Sequence, residues 1–137
     1  MENYPILWYN PFMDKQYNRL FSPCKLNDAF TAPNRLVAQP MEANDCSAAG
    51  SPSERTIARY SRFAEGTWGT VFVEAATVTA SSLSRINGMV LTEETLDGLK
   101  SLVESFRKTN DKSLLLFQLA HSGVKAGDFS ENTTVIP

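Results

Sequence analysis

The chain has 137 residues, 42% of them hydrophobic and 20% charged, a globular composition that excludes a disordered or fibrous protein. Lys plus Arg is 13 and Asp plus Glu is 15, so the net charge is −2 and the basic footprint of a nucleic-acid binder is missing. Apolar runs such as Val71–Val73 and Leu114–Phe117 fall far short of the roughly 18 residues of a membrane span.

The length suits one ordinary domain or part of a larger one. Glu2 stands early and no basic region precedes an apolar core, so the start does not read as a secretory signal. Cys24 and Cys46 are too few and too far apart for a disulfide framework or a CxxC metal site. The expectation is a reduced, cytoplasmic protein with no metal, no nucleic acid and no membrane among its partners.

Residues 1–33 read as a lead-in. Its first part interleaves Tyr4, Trp8, Tyr9, Phe12, Tyr17 and Phe21 with Pro5, Pro11 and Pro23, without a period of 2 or 3.6. It is expected to wrap onto another surface. Trp8 and Tyr9 read as covered packing, with a recognition patch as the alternative. Residues 34–137 are regular. Leu36-Val37-Ala38 is an apolar run closed by Pro40, hence a first strand. A polar loop follows, in which Asp45 and Cys46 read as a solvating group and a bystander thiol.

A helix is then signalled by Ser51 as N-cap, Pro52 at the first position and Glu54 at the third. Ile57, Tyr60, Phe63 and Ala64 mark its apolar face. Gly66 ends it in an expected left-handed cap. Thr70–Val73 is a second strand, apolar without alternation, as in a sheet covered on both faces. Residues 77–91 read as a Ser/Thr-rich loop. A second helix starts at Thr92, with Glu93 and Glu94 on its positive end. Leu96, Leu99, Val103 and Phe106 follow at helical spacing, and Asn110-Asp111 ends it. Leu114–Phe117 is a third buried-type strand.

Strands alternating with helices imply parallel pairing through right-handed crossovers. That leaves an open doubly wound sheet or a (β/α)₈ barrel. The first strand-to-helix loop carries neither GxGxxG nor a P-loop, which weighs against a nucleotide-binding doubly wound sheet. In parallel α/β folds the working residues gather at the C-terminal ends of strands. Those ends read Gln39-Pro40-Met41-Glu42 with Asn44 and Asp45, then Glu74-Ala75-Ala76, then Gln118-Leu119-Ala120-His121. Met41, Ala75 and Gln118 are thus expected along one rim, in strand order one, two, three. Glu74 reads as a buried anchor and His121 as a structural histidine, since a positioned base needs an orienting neighbour.

Three segments, Asn34-Arg35-Leu36-Val37 leading to Pro40-Met41, Val73-Glu74-Ala75, and Gln118-Leu119-Ala120-His121-Ser122-Gly123, resemble the Old Yellow Enzyme family of FMN-dependent NAD(P)H:flavin oxidoreductases and ene-reductases. Arg59-Tyr60 with Phe63-Ala64, and Leu91-Thr92 with Glu94, fall where that family has its first helix and the start of its second. The resemblance implies the first three strands and two helices of a TIM (β/α)₈ barrel with FMN at its C-terminal mouth and NAD(P)H as reductant. It places the backbone of Pro40 and Met41 beside the flavin ring, Ala75 in main-chain contact near its polar edge, and the Gln118 carboxamide on its pyrimidine end. Glu42 stands where many members carry Thr or Cys, and an anion there disfavours negative charge on reduced flavin. Val124 stands where many members have Arg.

A complete barrel needs about 250 residues, and this chain supplies three of the eight strands. The family's substrate-anchoring pair, Tyr proton donor and phosphate-binding residues lie on later strands, so the catalytic residues are not assigned. The expected function is the N-terminal portion of an enzyme that moves hydride from NAD(P)H through FMN to an activated C=C bond or another acceptor. One alternative is a non-catalytic fragment or assembly module without cofactor. Another is part of a larger flavin and iron–sulfur enzyme of the dienoyl-CoA reductase type. The expected partners are a small-molecule substrate and the rest of the barrel, or further copies of the chain. Val37, Phe72 and Leu115, or their neighbours, are expected to face the barrel interior and lose their opposing layer in the chain alone. The 137 residues alone are therefore expected to self-associate and not to oxidise NADH in added FMN. Light scattering and an NADH oxidation assay check this; a stable, active monomer defeats it.

Overall fold

The computed structural model describes residues 15–126; the earlier part of the lead-in, with Trp8 and Tyr9, and residues 127–137 lie outside the described residues. A 3₁₀ turn over Lys15–Phe21 leads into a small antiparallel hairpin of β1 (Cys24–Lys25) and β2 (Thr31–Ala32), which the sequence did not signal. Then come β3 (Val37–Ala38), α1 (Glu54–Glu65), β4 (Thr70–Thr77), β5 (Met89–Val90), α2 (Leu96–Thr109) and β6 (Leu114–Ala120). No helix among the described residues is long and apolar enough to cross a membrane.

β3, β4 and β6 pair in parallel with β4 in the centre, in the expected order. Thr70 has Val37 on one side and Leu114 on the other; Ala76 likewise has Met89 and Leu119. β5 therefore shares the β3 edge of β4, at its C-terminal half. This short strand lies inside the segment expected to be a loop. Its formation depends on Gly50, whose φ of +79° lets its carbonyl accept from Val90 N–H at 3.0 Å. A Cβ on Gly50 would meet the Val90 side chain at 2.3 Å, so only glycine allows the approach.

Both helices lie on one face of the sheet. Tyr60 and Ala64 of α1, Leu99, Leu102 and Phe106 of α2, and Val71, Val73 and Ala76 of β4 form one buried cluster. Leu115 and Phe117 pack against it from β6, so Leu115 belongs to the helix side and not, as expected, to the interior of the barrel. Its neighbour Leu116, opposite Phe72 in register, takes the interior side, as the period of two requires. On α2 the buried stripe is Leu99, Leu102 and Phe106, whereas Leu96 is exposed. A 3₁₀ turn over Glu93–Thr95 precedes the helix, which moves its start four residues past Thr92 and rotates the stripe.

The start of α1 also differs from expectation. Ser53, not Ser51, is the N-cap. Its Oγ accepts from Thr56 N–H at 3.3 Å, and Thr56 Oγ1 accepts from Ser53 N–H at 3.2 Å. Ser51 and Pro52 are pressed against α2 instead, where a Cβ on Gly98 would meet Ser51 Oγ at 2.2 Å. Gly66 closes the helix in an extended conformation, φ −77°, and not in the left-handed one. A Cβ there would come within 2.7 Å of the Trp68 indole nitrogen, so any larger residue has to displace that ring. At the other end of the sheet Asn34 fixes β3 beside β4: its amide donates to Thr67 O at 2.6 Å and its Oδ1 accepts from Leu36 N–H at 2.9 Å.

Phe106 is fully buried between the helices and β4. Phe106→Ala is expected to lower stability by about 3–5 kcal/mol, read by equilibrium urea unfolding.

Candidate functional site

The C-terminal ends of β3, β4 and β6 form one rim, and a bulge in β4 decides what points where. Val73 pairs with Phe117 and Ala75 with Gln118, so Glu74 is the extra residue. The extra residue lets Val73 and Glu74 both serve the helix layer. Ala75 then resumes the opposite face, level with Gln118. Without the bulge, the alternation would carry Ala75 to the helix side.

Glu74 is wholly buried beneath the rim and fully engaged. Its Oε1 accepts from Arg59 Nη2 at 2.5 Å and its Oε2 from Ala43 N–H at 3.1 Å. Its own N–H donates to Tyr60 Oη at 2.7 Å. The same Arg59 donates to both oxygens of Asp45, through Nε at 3.2 Å and Nη2 at 2.9 Å, and its guanidinium lies 4.6 Å from the centre of the Tyr60 ring. Thr56 Oγ1 donates to Asp45 Oδ1 at 2.9 Å, and Ser53 Oγ donates to the Asp45 carbonyl at 2.5 Å. Burial pushes the Asp45 carboxyl up, but the hydrogen bonds from Arg59 and Thr56 overcome it and hold the group below the usual carboxylate range. Burial opposes the charge of Arg59 as well; its two carboxylate partners more than reverse that.

Asp45, Cys46 and Glu74 bring three potential ligand atoms within 4.8 Å of one another. The cluster does not suit a metal. Arg59 already supplies the positive charge between the carboxylates. Burial raises the Cys46 thiol to about 11, away from the thiolate a metal requires. Asp45 is thus an anchor of the loop after β3 and not a solvating group, and Glu74 is the buried anchor expected.

Above this network the rim is open. Met41 is 69% exposed, Gln118 is exposed, and Pro40 and Ala75 are half-buried. Glu42 is paired with Arg85, Oε2 to Nε at 3.0 Å, from the loop after β4. The sequence carried no signal for that partner. His121 is exposed and its Nδ1 accepts from Gly123 N–H at 3.1 Å, a contact within its own loop.

A family model described as the NADH:flavin oxidoreductase / NADH oxidase family matches residues 19–135. The chain belongs to this family. Among solved structures it is similar to the Old Yellow Enzyme from Pichia sp. AKU4542, with 26% identity, a TM-score of 0.70, and 79% of this chain and 28% of that one covered. It is similar to morphinone reductase, with 20% identity and a TM-score of 0.72 over 84% of this chain and 30% of that one. It is also similar to a 2-naphthoyl-CoA reductase in complex with 2-naphthoyl-CoA, with 22% identity and a TM-score of 0.74 over 81% of this chain and 17% of that one. Comparison with curated proteins gave no match. The chain therefore has the fold of the first part of an Old Yellow Enzyme-type barrel and spans less than a third of the length of these structures.

Removing the Arg59 charge strands two carboxylates, one of them fully buried. Arg59→Met is expected to cost about 3–5 kcal/mol. The contribution of Asp45 is complete above its unfolded pKa of 3.8 and disappears as pH falls through its lower folded value. Asp45→Asn therefore removes part of the acid-side loss of stability. Urea unfolding over a pH series checks both; an acid limb unchanged in Asp45→Asn contradicts the assignment.

Proposed function

We propose that this chain forms the first part of an FMN-binding barrel in an oxidoreductase that takes hydride from NAD(P)H and delivers it to an activated C=C bond or another acceptor. The observation that carries this reading is the register match of Ala75 and Gln118 on the face of the rim turned away from the helices. A flavin pyrimidine presents carbonyl acceptors and one N–H donor, and the exposed Gln118 carboxamide offers both complements. The donor set therefore fits the polar end of the ring system.

In this reading Gln118 binds the pyrimidine end, Ala75 contributes main-chain contact, and Pro40 and Met41 flank the ring. FMN, when bound, supplies the hydride acceptor and donor chemistry that no side chain of this chain possesses. The task of the residues is to bind and orient. The Arg59–Asp45–Glu74 network holds the bulge and the loop behind the site, and this keeps the Gln118 amide and the Pro40–Met41 backbone in fixed relation. Glu42 alone would place an anion near electron-rich reduced flavin; its pairing with Arg85 offsets that charge.

A second reading, in which the acceptor is an acyl-CoA thioester and the protein a larger flavoenzyme, is supported by the similarity to 2-naphthoyl-CoA reductase.

Gln118→Ala in the FMN-containing protein is expected to weaken FMN binding by about 1–3 kcal/mol, the cost of leaving buried polar groups of the complex unpaired. Flavin titration by absorbance measures it. Unchanged affinity places Gln118 elsewhere, and purified protein that takes up no FMN favours the non-catalytic module.

A further inference from the structure

The loops that follow β3 and β4 meet at the rim. Cys46 N–H donates to Asn87 O at 3.2 Å, and both loops turn through a left-handed asparagine, Asn44 with φ 52° and Asn87 with φ 56°. The Glu42–Arg85 ion pair joins them again. Between them lies a cavity of about 640 Å³ lined by Glu42, Asn44, Ser84, Arg85, Ile86 and Lys125. Its charges are unequal. Glu42 is the one carboxylate on the wall among the described residues, and the Arg85 atom it pairs with is Nε. The terminal nitrogens of Arg85 and the ammonium of Lys125 have no carboxylate partner among the described residues.

With Glu42 beside Nε, the terminal N–H groups of Arg85 remain as a fork that matches the two oxygens of a carboxylate or a phosphate. Because the ion pair already restricts the side chain, little more rotamer freedom is lost when an anion binds. Lys125 adds a second positive charge from the segment after β6. Ser84 and Asn44 offer neutral polar groups, and Ile86, 61% exposed, offers an apolar wall.

We propose that Arg85 and Lys125 form an anion-recognition element at the mouth, which selects a ligand carrying a carboxylate or phosphate beside an apolar body. The proposal rests on the oxidoreductase reading for the identity of that ligand, the hydride acceptor or the nicotinamide nucleotide, and on the cavity alone for its charge. The element is open to water, with Arg85 64% exposed, so its effect is a preference of several-fold that salt weakens.

The test uses the whole protein with oxidised FMN bound and calorimetric titration of two probe pairs: cinnamate against cinnamamide, and NADP⁺ against NAD⁺, oxidised nucleotides that cannot reduce the flavin. Lys125→Gln and Arg85→Gln are each expected to weaken the charged member of a pair about three- to tenfold while leaving the neutral or less charged member within about twofold. Lys125→Gln carries the test if Arg85→Gln loosens the loop through loss of Glu42. Selective loss in the cinnamate pair assigns the element to the acceptor's carboxylate, and selective loss in the NADP⁺ pair assigns it to the nucleotide's phosphate. Equal losses within each pair, or no loss in either, overturn the proposal. Calorimetry reads charge preference with or without flavin, so a protein that binds no FMN sinks the oxidoreductase reading while the anion preference is still decided.

Discussion

One guanidinium between two carboxylates holds the upper half of this sheet together. Arg59 projects from the second turn of α1 and meets Asp45 from the loop after β3 and Glu74 from the bulge of β4. Three segments far apart in sequence converge on one side chain. The planar fork is what permits it: Nε and Nη2 reach Asp45 while Nη2 also reaches Glu74, an arrangement that the point charge of a lysine does not reproduce. Burying these charges is costly, and the remaining lone pairs are therefore met by Thr56 Oγ1 and Ala43 N–H. The consequence reaches the rim. Glu74 stays on the helix side only because it is bonded there, and the phase of every later residue in β4, Ala75 first, follows from it.

The strands β3, β4 and β6 and both helices were legible in the sequence because their apolar patterns stand out against the polar segments between them. Thr70–Val73 and Leu114–Phe117 mark the N-terminal halves of β4 and β6, and both strands run on through polar residues that close the apolar run without ending the ladder. The boundaries that differed share a cause: a local signal lost to a tertiary contact. Ser51-Pro52 has the composition of a helix start, yet the close approach of Gly98 takes those residues into packing, and the reciprocal bonds of Ser53 and Thr56 set the cap. Met89-Val90 carries no strand signal of its own length; it becomes a strand because Gly50 delivers a carbonyl to Val90.

The site was legible in part for the same reason. Polar residues after three apolar strands identified the ends of the sheet, but alternation alone does not separate those that face the mouth from those that face the helices. A one-residue bulge leaves no trace in composition, so Glu74 and Ala75 read as one polar end while the structure sends them to opposite faces. Asp45 looked like a loop solvator because its partner lies 14 residues away on another element. Arg85 sits in a Ser/Thr-rich stretch without periodicity, and nothing short of the folded loops shows that it meets Glu42.

Two layers with different demands follow from this arrangement. Beneath the rim every charged group has partners, and substituting one strands the others. On the rim, Met41, Gln118 and Lys125 are exposed, and Glu42 and Arg85 bind mainly each other. Surface substitutions of the second kind change stability by a few tenths of a kcal/mol, roughly, whereas those of the first kind cost several. A barrel mouth built this way can change its charge and shape, and with them its ligand preference, without disturbing the bulge that positions the Ala75 backbone and the Gln118 amide. Glu42 and Val124 lie in that permissive layer: both are exposed, and neither is bonded to the Arg59 network.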